Sequence, residues 1–127
     1  MVTIVSNNFE IPPGFGSIWR VPNKIWNSFA KDKAAEMLHP GVVSREDKNG
    51  LTFQLTPGTS RKSGGRCVFK TNLNSQEVRS HFIIKLSIPI SKTKLMELER
   101  GWNGVDDLSY NDKKELRIKT RVCNQSR

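Results

Sequence analysis

An Asn-Gly pair at positions 49 and 50 separates two short segments that each have the character of a β-strand. Val42 and Val43 lie in the first segment, residues 39–45, and the second segment, residues 51–56, alternates apolar with polar side chains. Asn-Gly accepts the positive φ angles of a tight turn, and alternation with a period of two is typical of a strand with one buried face. The sequence therefore predicts a β-hairpin, whose second strand ends at Pro57-Gly58.

Three further segments predict strands. They are GSIWRV at residues 16–21, CVFKT at 67–71 and HFIIKLSIPI at 81–90. The last shows the clearest alternation in the chain, and we expect it to be one continuous core strand. Its predicted buried face consists of Phe82, Ile84, Leu86, Ile88 and Ile90.

The remaining apolar patterns predict helical structure. In residues 23–37 the spacing favours a helix or helical loop that lies over the sheet. Ser91 is a good N-cap for a helix over residues 92–100, and Gly101 directly after it is placed to end the helix. A second helix is expected from Ser109 towards Val122, with the acidic side chain at position 112 reaching back in a capping box.

These elements predict one α+β domain that is mainly β. A chain of 127 residues is long enough for one core, and so short an antiparallel sheet must curl to cover it. We therefore expect a small SH3-like antiparallel barrel with an N-terminal helical loop and one or two C-terminal helices. The barrel domain is expected to span residues 16–122, between an irregular arm at 1–15 and a frayed tail at 123–127.

The composition favours a cytoplasmic protein. No apolar run is long enough to cross a membrane, and the first residues do not have the pattern of a signal peptide. The two cysteines, Cys67 and Cys123, show neither a disulfide framework nor metal-ligand spacing, so we expect both to be reduced and no metal to be bound.

The net charge of +9 is concentrated in residues 61–85 and 113–127. Clustered cations suggest a polyanionic partner, because neutralising phosphates releases counterions and gives affinity that does not depend on sequence. The alternative is a basic surface that only serves solubility.

A glycine-rich basic loop follows the predicted hairpin. Its cations, Arg61, Lys62 and Arg66, and the hydroxyls of Thr59 and Ser60 could together hold a phosphate. The loop does not match a P-loop, which requires a different glycine spacing. A solvated hairpin loop is an equally good interpretation of these residues.

His39 opens the first strand of the hairpin, and its imidazole can exchange a proton near neutral pH. Pairing about the Asn-Gly turn would bring it near Thr59 and Ser60, although a half-exposed residue at a strand start is an equally ordinary role. Trp26 is a candidate for stacking on an unpaired base, and burial in the core is its alternative. For Trp19, burial is the preferred interpretation.

Four motifs occur in a particular order along the chain: GSIW at residues 16–19, HPGVV at 39–43, LTPGTS at 55–60 and HFIIKLSIPI at 81–90. This order, with a C-terminal helix after Leu108-Ser109, resembles the MazF/PemK-like toxins of bacterial toxin–antitoxin pairs. The resemblance covers residues from about Gly16 to Leu116. It implies a dimeric barrel, of the MazF/CcdB-like kind, that cleaves single-stranded RNA without a metal or other cofactor and leaves a cyclic phosphate.

The family has an arginine before the proline of its second strand and a Thr or Ser at the end of its third. Here these positions hold His39 and Thr59-Ser60. If the histidine takes over, it acts as general acid or base, Thr59 or Ser60 binds the phosphate, and the cations of the loop neutralise charge. The resemblance further implies an acidic, partly disordered antitoxin lying over the basic groove.

Two other functions are compatible with the same sequence. The domain could bind nucleic acid or protein without cutting it, because the family arginine is missing and fold does not determine function. A toxin that poisons gyrase on the same scaffold is the third possibility, and no feature of the chain favours it.

Overall fold

The fold is α+β and consists mainly of antiparallel strands, as a computed structural model shows. The model describes residues 13–26, 29–30, 33–61, 64–65, 67–73 and 79–125. Its strands are β1 (Ile18–Pro22), β2 (Leu38–Glu46), β3 (Thr52–Thr59), β4 (Val68–Thr71), β5 (Ser80–Ile83), β6 (Ile88–Ser91) and β7 (Glu99–Arg100). Its helices are α1 (Lys92–Leu95) and α2 (Tyr110–Gln125), and two 3-10 turns occupy Asn23–Ile25 and Ile84–Leu86.

The strands are hydrogen-bonded in the order β4-β5-β3-β2-β1-β7, and β6 also pairs with β3. Every pairing between these strands is antiparallel. The described strands form an open path with β4 and β7 at its ends, rather than a closed barrel. The predicted hairpin is confirmed as β2 and β3, and Gly50 adopts the positive φ angle of 70° that its turn requires. The expected strand end at Pro57-Gly58 is wrong, because β3 continues through both residues to Thr59.

The sheet is buried on both faces, not on one. Neighbouring residues of a strand point to opposite faces, and accordingly Val42 and Val43 belong to different apolar clusters. One cluster contains Trp19, Val21, Trp26, Phe29, Val43, Phe53, Leu55, Ile88, Ile90 and Leu95. The other contains Ile18, Val42, Phe69, Leu73, Phe82, Leu108 and Leu116, the last of these from α2.

The segment expected to be one strand at residues 81–90 is divided by the 3-10 turn at Ile84–Leu86. The reason lies in β3, whose one edge pairs with β6 over Thr52–Leu55 and with β5 over Gly58–Thr59. Because both halves pair antiparallel to the same edge, the chain only has to bend between them. The alternating apolar residues consequently divide among separate clusters, with Phe82 in one and Ile88 in another.

Residues 23–37 were expected to form a helix or a helical loop, and the described part of that segment contains no α-helix. Only the turn at Asn23–Ile25 is helical, and Ala30 has a positive φ angle of 56°. The chain folds back on itself instead, because the Asn23 amide donates to the Met37 carbonyl at 2.9 Å and the Lys24 amide donates to the Ala35 carbonyl at 3.1 Å.

The expected C-terminal helices differ from the observed ones mainly in length. Ser91 caps α1 by accepting from the Lys94 amide at 3.2 Å, yet α1 ends at Leu95 and β7 follows. Ser109 caps α2 by accepting from the Asp112 amide at 3.1 Å. The observed contact of the Asp112 carboxylate is not a capping box: it accepts from the Thr71 hydroxyl at 2.6 Å and so links α2 to β4. Helix α2 continues to Gln125, past its expected end near Val122.

The expectation that the cysteines are reduced is wrong. Cys67, which precedes β4, and Cys123 in α2 form a disulfide whose Cα atoms lie 5.0 Å apart. The pair was missed because a separation of 56 residues carries no spacing signal; only the packing of α2 against the sheet brings the two side chains together.

No helix in the described part of the chain is long and apolar enough to cross a membrane.

Candidate functional site

The two strands of the hairpin take different partners at its open end. Their pairing extends to Gly41 and Pro57. Beyond this point β2 stays paired with β1, with His39 opposite Val21, whereas β3 pairs with β5, with Thr59 opposite His81. A hollow therefore lies between the start of β2 and the end of β3.

His39, Thr59 and Ser60 line both cavities at this end of the sheet, so the structure brings together the three residues that the hairpin spacing was expected to place near each other. The larger cavity, of about 630 Å³, is also lined by Phe29, Ala30, Lys33, Met37, Arg61, Ile83 and Leu86. The smaller one, of about 200 Å³, is also lined by Leu38, Pro40, Ser80, Trp102 and Asn103.

Of the three cations expected from the glycine-rich loop, one lies at the site. Arg61 is exposed and lines the larger cavity. Lys62 and Arg66 lie outside the described residues. Lys33, which the sequence reasoning did not select, lines the larger cavity as well. Its position depends on the fold-back of residues 33–37 onto Asn23, which no local pattern in the sequence indicates.

His39 is half-buried and has contacts on two sides. Its Nδ1 lies 2.7 Å from Oδ1 of Asn23, and its ring meets the Phe29 ring edge-on, with centroids 5.0 Å apart. Burial lowers the pKa of the imidazole below its ordinary value, and the positive charge of Lys33 lowers it further. The neutral form of His39 is therefore favoured at neutral pH.

Asn23 is the site residue that the sequence reasoning missed. It is buried, lies in the 3-10 turn directly after β1, and donates through Nδ2 to the Ala34 carbonyl at 3.1 Å. An asparagine after a proline is common in turns, so its identity alone gave no reason to connect it with a histidine sixteen positions away.

The hydroxyl end of the site is fixed by local turn chemistry and by close packing. The Thr59 hydroxyl accepts from the Arg61 amide at 3.1 Å, which holds the chain as it leaves β3. Just before it, Gly58 packs against the Phe82 ring, and a Cβ atom at position 58 would lie 2.6 Å from the nearest ring carbon. Only glycine allows β3 to pass this close to β5.

Trp26 is not a base-stacking residue of this site. Its side chain is 6% exposed, belongs to the apolar core and packs edge-on against Phe29, with ring centroids 5.8 Å apart. Neither cavity at the site is lined by Trp26. It supports the site indirectly, because Phe29 lies between it and the His39 ring. Trp19 is buried as expected, and its indole donates to the Ser17 hydroxyl at 2.9 Å.

Within the described residues, no group of three or more His, Cys, Asp or Glu side chains is arranged to hold a metal ion. No protein-family model matches the chain, and no curated protein matches it significantly. The larger cavity brings together a histidine, two hydroxyl side chains and two cations.

Proposed function

We propose that the chain is a toxin-like, metal-independent endoribonuclease that cleaves single-stranded RNA. One observation carries the proposal: His39, Thr59, Ser60, Arg61 and Lys33 line a single cavity of about 630 Å³ at the end of the β2–β3 hairpin. The cavity thus offers an imidazole that can exchange a proton, hydrogen-bond donors and positive charge, the three requirements of metal-free phosphodiester cleavage.

The reaction transfers the phosphoryl group of one RNA linkage from the 5′-oxygen to the neighbouring 2′-oxygen. A base takes the proton of a ribose 2′-hydroxyl, and the 2′-oxygen forms a bond to the adjacent phosphorus. The bond from phosphorus to the 5′-oxygen breaks, and that oxygen takes a proton, which leaves a 2′,3′-cyclic phosphate and a 5′-hydroxyl. In this scheme His39 handles a proton, Thr59 or Ser60 donates to a phosphate oxygen, and Arg61 stabilises the extra negative charge of the transition state.

The order of motifs that resembles the MazF/PemK-like toxins extends this proposal. It adds an SH3-like relationship for the open antiparallel sheet, a homodimer, a cytoplasmic location and an acidic antitoxin. The net charge of +9 supports an acidic partner on electrostatic grounds. Expression of this chain should then be tolerated by a host only together with that antitoxin.

Incubation of the purified protein with labelled single-stranded RNA in EDTA tests the proposal. We expect discrete fragments that end in cyclic phosphate. His39→Ala should reduce the cleavage rate by about 100-fold or more, the cost of losing a positioned proton-transfer group. An unchanged rate would remove His39 from the mechanism.

A matched pair of cation variants tests the RNA-binding role of the cavity. Arg61→Ala removes an exposed cation that lines it, and Lys85→Ala removes an exposed cation that does not. The Arg61 variant should lower RNA affinity and reduce the slope of log K against log salt by about 1, as expected for one phosphate contact. Equal effects of the two substitutions would indicate binding by overall charge rather than at this cavity.

A non-catalytic RNA- or protein-binding domain is the second candidate, favoured by the histidine that stands where the family has arginine. It would retain the basic surface and the salt dependence. RNA that is retarded in a gel but remains intact would establish this function in place of the nuclease.

A further inference from the structure

The hydrogen bond between Asn23 and His39 determines which ring nitrogen carries the proton. Asn23 donates through Nδ2 to the Ala34 carbonyl at 3.1 Å, so its Oδ1 is the atom turned towards the imidazole. An amide oxygen only accepts, and therefore Nδ1 of His39 must donate across the 2.7 Å. In the other neutral tautomer, two acceptors would face each other at this distance.

We propose that Asn23 is a positioning residue that holds neutral His39 with its proton on Nδ1, so that Nε2 is the base for the ribose 2′-hydroxyl. The inference rests on the proposed function and narrows it, because that function alone leaves His39 as either acid or base. Hydrogen bonding at one ring nitrogen sets the protonation of the other, which is how histidine bases are oriented in proteins. The departing 5′-oxygen takes its proton from water, and the imidazolium returns its proton to water afterwards.

The surroundings of the ring favour a base over an acid. The charged residues that line the two cavities with His39 are Lys33 and Arg61, both cations, and no described lining residue is a carboxylate. Burial of the imidazole, to which the Phe29 ring contributes, and the positive charge of Lys33 both disfavour the imidazolium. A neutral ring at the start of the reaction can accept a proton, but it has only the Nδ1 proton, already committed to Asn23, to give.

Asn23 is itself held firmly enough to orient another side chain. Its side chain is buried, and its backbone amide donates to the Met37 carbonyl at 2.9 Å. The Phe29 ring restricts the imidazole from a second direction. Two constraints on one ring fix its plane as well as its tautomer, as a catalytic base requires.

Nitrogen-15 NMR of the full chain tests the tautomer without any RNA. The chain has two histidines, so a His39→Gln sample identifies the His39 signals by their loss. At pH 7.5 the wild-type protein should show the proton on Nδ1 and an unprotonated Nε2. A proton on Nε2 in the wild type would overturn the inference.

Two substitutions separate the acceptor role of Asn23 from its structural role. Both Asn23→Leu and Asn23→Asp lose the hydrogen bond to Ala34, but only Asn23→Asp keeps an oxygen that can accept from Nδ1. We expect Asn23→Leu to lose the Nδ1–H preference and Asn23→Asp to retain it. Loss of the preference in both, or in neither, would contradict the assignment.

Cleavage of labelled single-stranded RNA in EDTA provides the kinetic test. Asn23→Leu should lower kcat by about 10- to 100-fold with little change in KM, since a misoriented base affects the chemical step. Asn23→Asp should recover most of kcat, and the acid limb of its pH profile should move to higher pH because the new carboxylate favours the imidazolium. Equal kcat values for the wild type and Asn23→Leu would refute the positioning role. If the wild type cleaves no RNA, the proposed function fails, and the NMR result still decides whether Asn23 sets the tautomer.

Discussion

Breaking the Cys67–Cys123 disulfide should lower the stability of this protein by several kcal/mol. The bond closes a loop of 56 residues, which includes β4, β5, β6, α1, β7 and most of α2. In the chain-entropy description, closing a loop of this size raises the free energy of the unfolded state by about 4 kcal/mol at 25 °C. With a urea m-value of about 1.5–2 kcal/mol/M, the midpoint should fall by about 2–3 M on reduction.

Urea unfolding followed by tryptophan fluorescence, with and without dithiothreitol, measures this change. The matched control is Cys67→Ala/Cys123→Ala, which cannot form the bond and should have the same midpoint in both conditions. Alanine is chosen because both cysteines are buried, and serine would place a hydroxyl there. Alkylation of two thiols in the native, untreated protein, or a wild-type midpoint that dithiothreitol does not move, would refute the reasoning.

Three further predictions concern stability. Gly58→Ala should destabilise the protein by about 1–3 kcal/mol, because the new Cβ would overlap the Phe82 ring. The control Gly64→Ala, with no atom within 4 Å of the added carbon, should change the urea midpoint little. Equal midpoints for the two variants would contradict the close packing of β3 and β5. Ser109→Ala removes the N-cap of α2 and should cost about 1 kcal/mol, or a few degrees in Tm, measured by circular dichroism; an unchanged Tm would mean that the cap contributes nothing. The pKa of His39 is lower in the folded state than in the unfolded chain, so the unfolded chain binds more protons and stability should decrease as pH falls through about 6.5. His39→Gln should lose this part of the pH dependence of urea unfolding. An identical pH dependence in the variant and the wild type would refute the assigned direction.

The sequence predicted the elements whose signals are local. The Asn49-Gly50 turn and the alternation after it defined the hairpin, and Ser91 and Ser109 marked two helix starts, because caps and tight turns depend on a few adjacent residues. His39 and Thr59 could be placed near each other for the same reason, since the hairpin register follows from the turn.

The features that were missed depend on tertiary pairing. The alternation at residues 81–90 has the same period on either side of the 3-10 turn, and only the pairing of β3 with both β5 and β6 shows that the strand must bend. Apolar spacing in residues 23–37 favoured a helix, but the fold-back hydrogen bonds to Asn23 prevailed over that preference. The apolar spacing included Trp26 and Phe29, but it could not show that Phe29 contacts His39 and that Trp26 lies behind Phe29 in the core.

The burial of both sheet faces limits where this molecule can offer polar groups to a ligand. Within β2 and β3, peptide groups are paired in the ladder and most side chains are buried, whereas His39, Thr59 and Ser60 line a cavity where these two strands begin and end. At the open end of the hairpin, pairing between β2 and β3 ceases while each strand remains anchored to a different neighbour. Substitutions at residues 39, 59 and 60 would therefore change the chemistry of this rim while the strand pairings on either side of it stay in place.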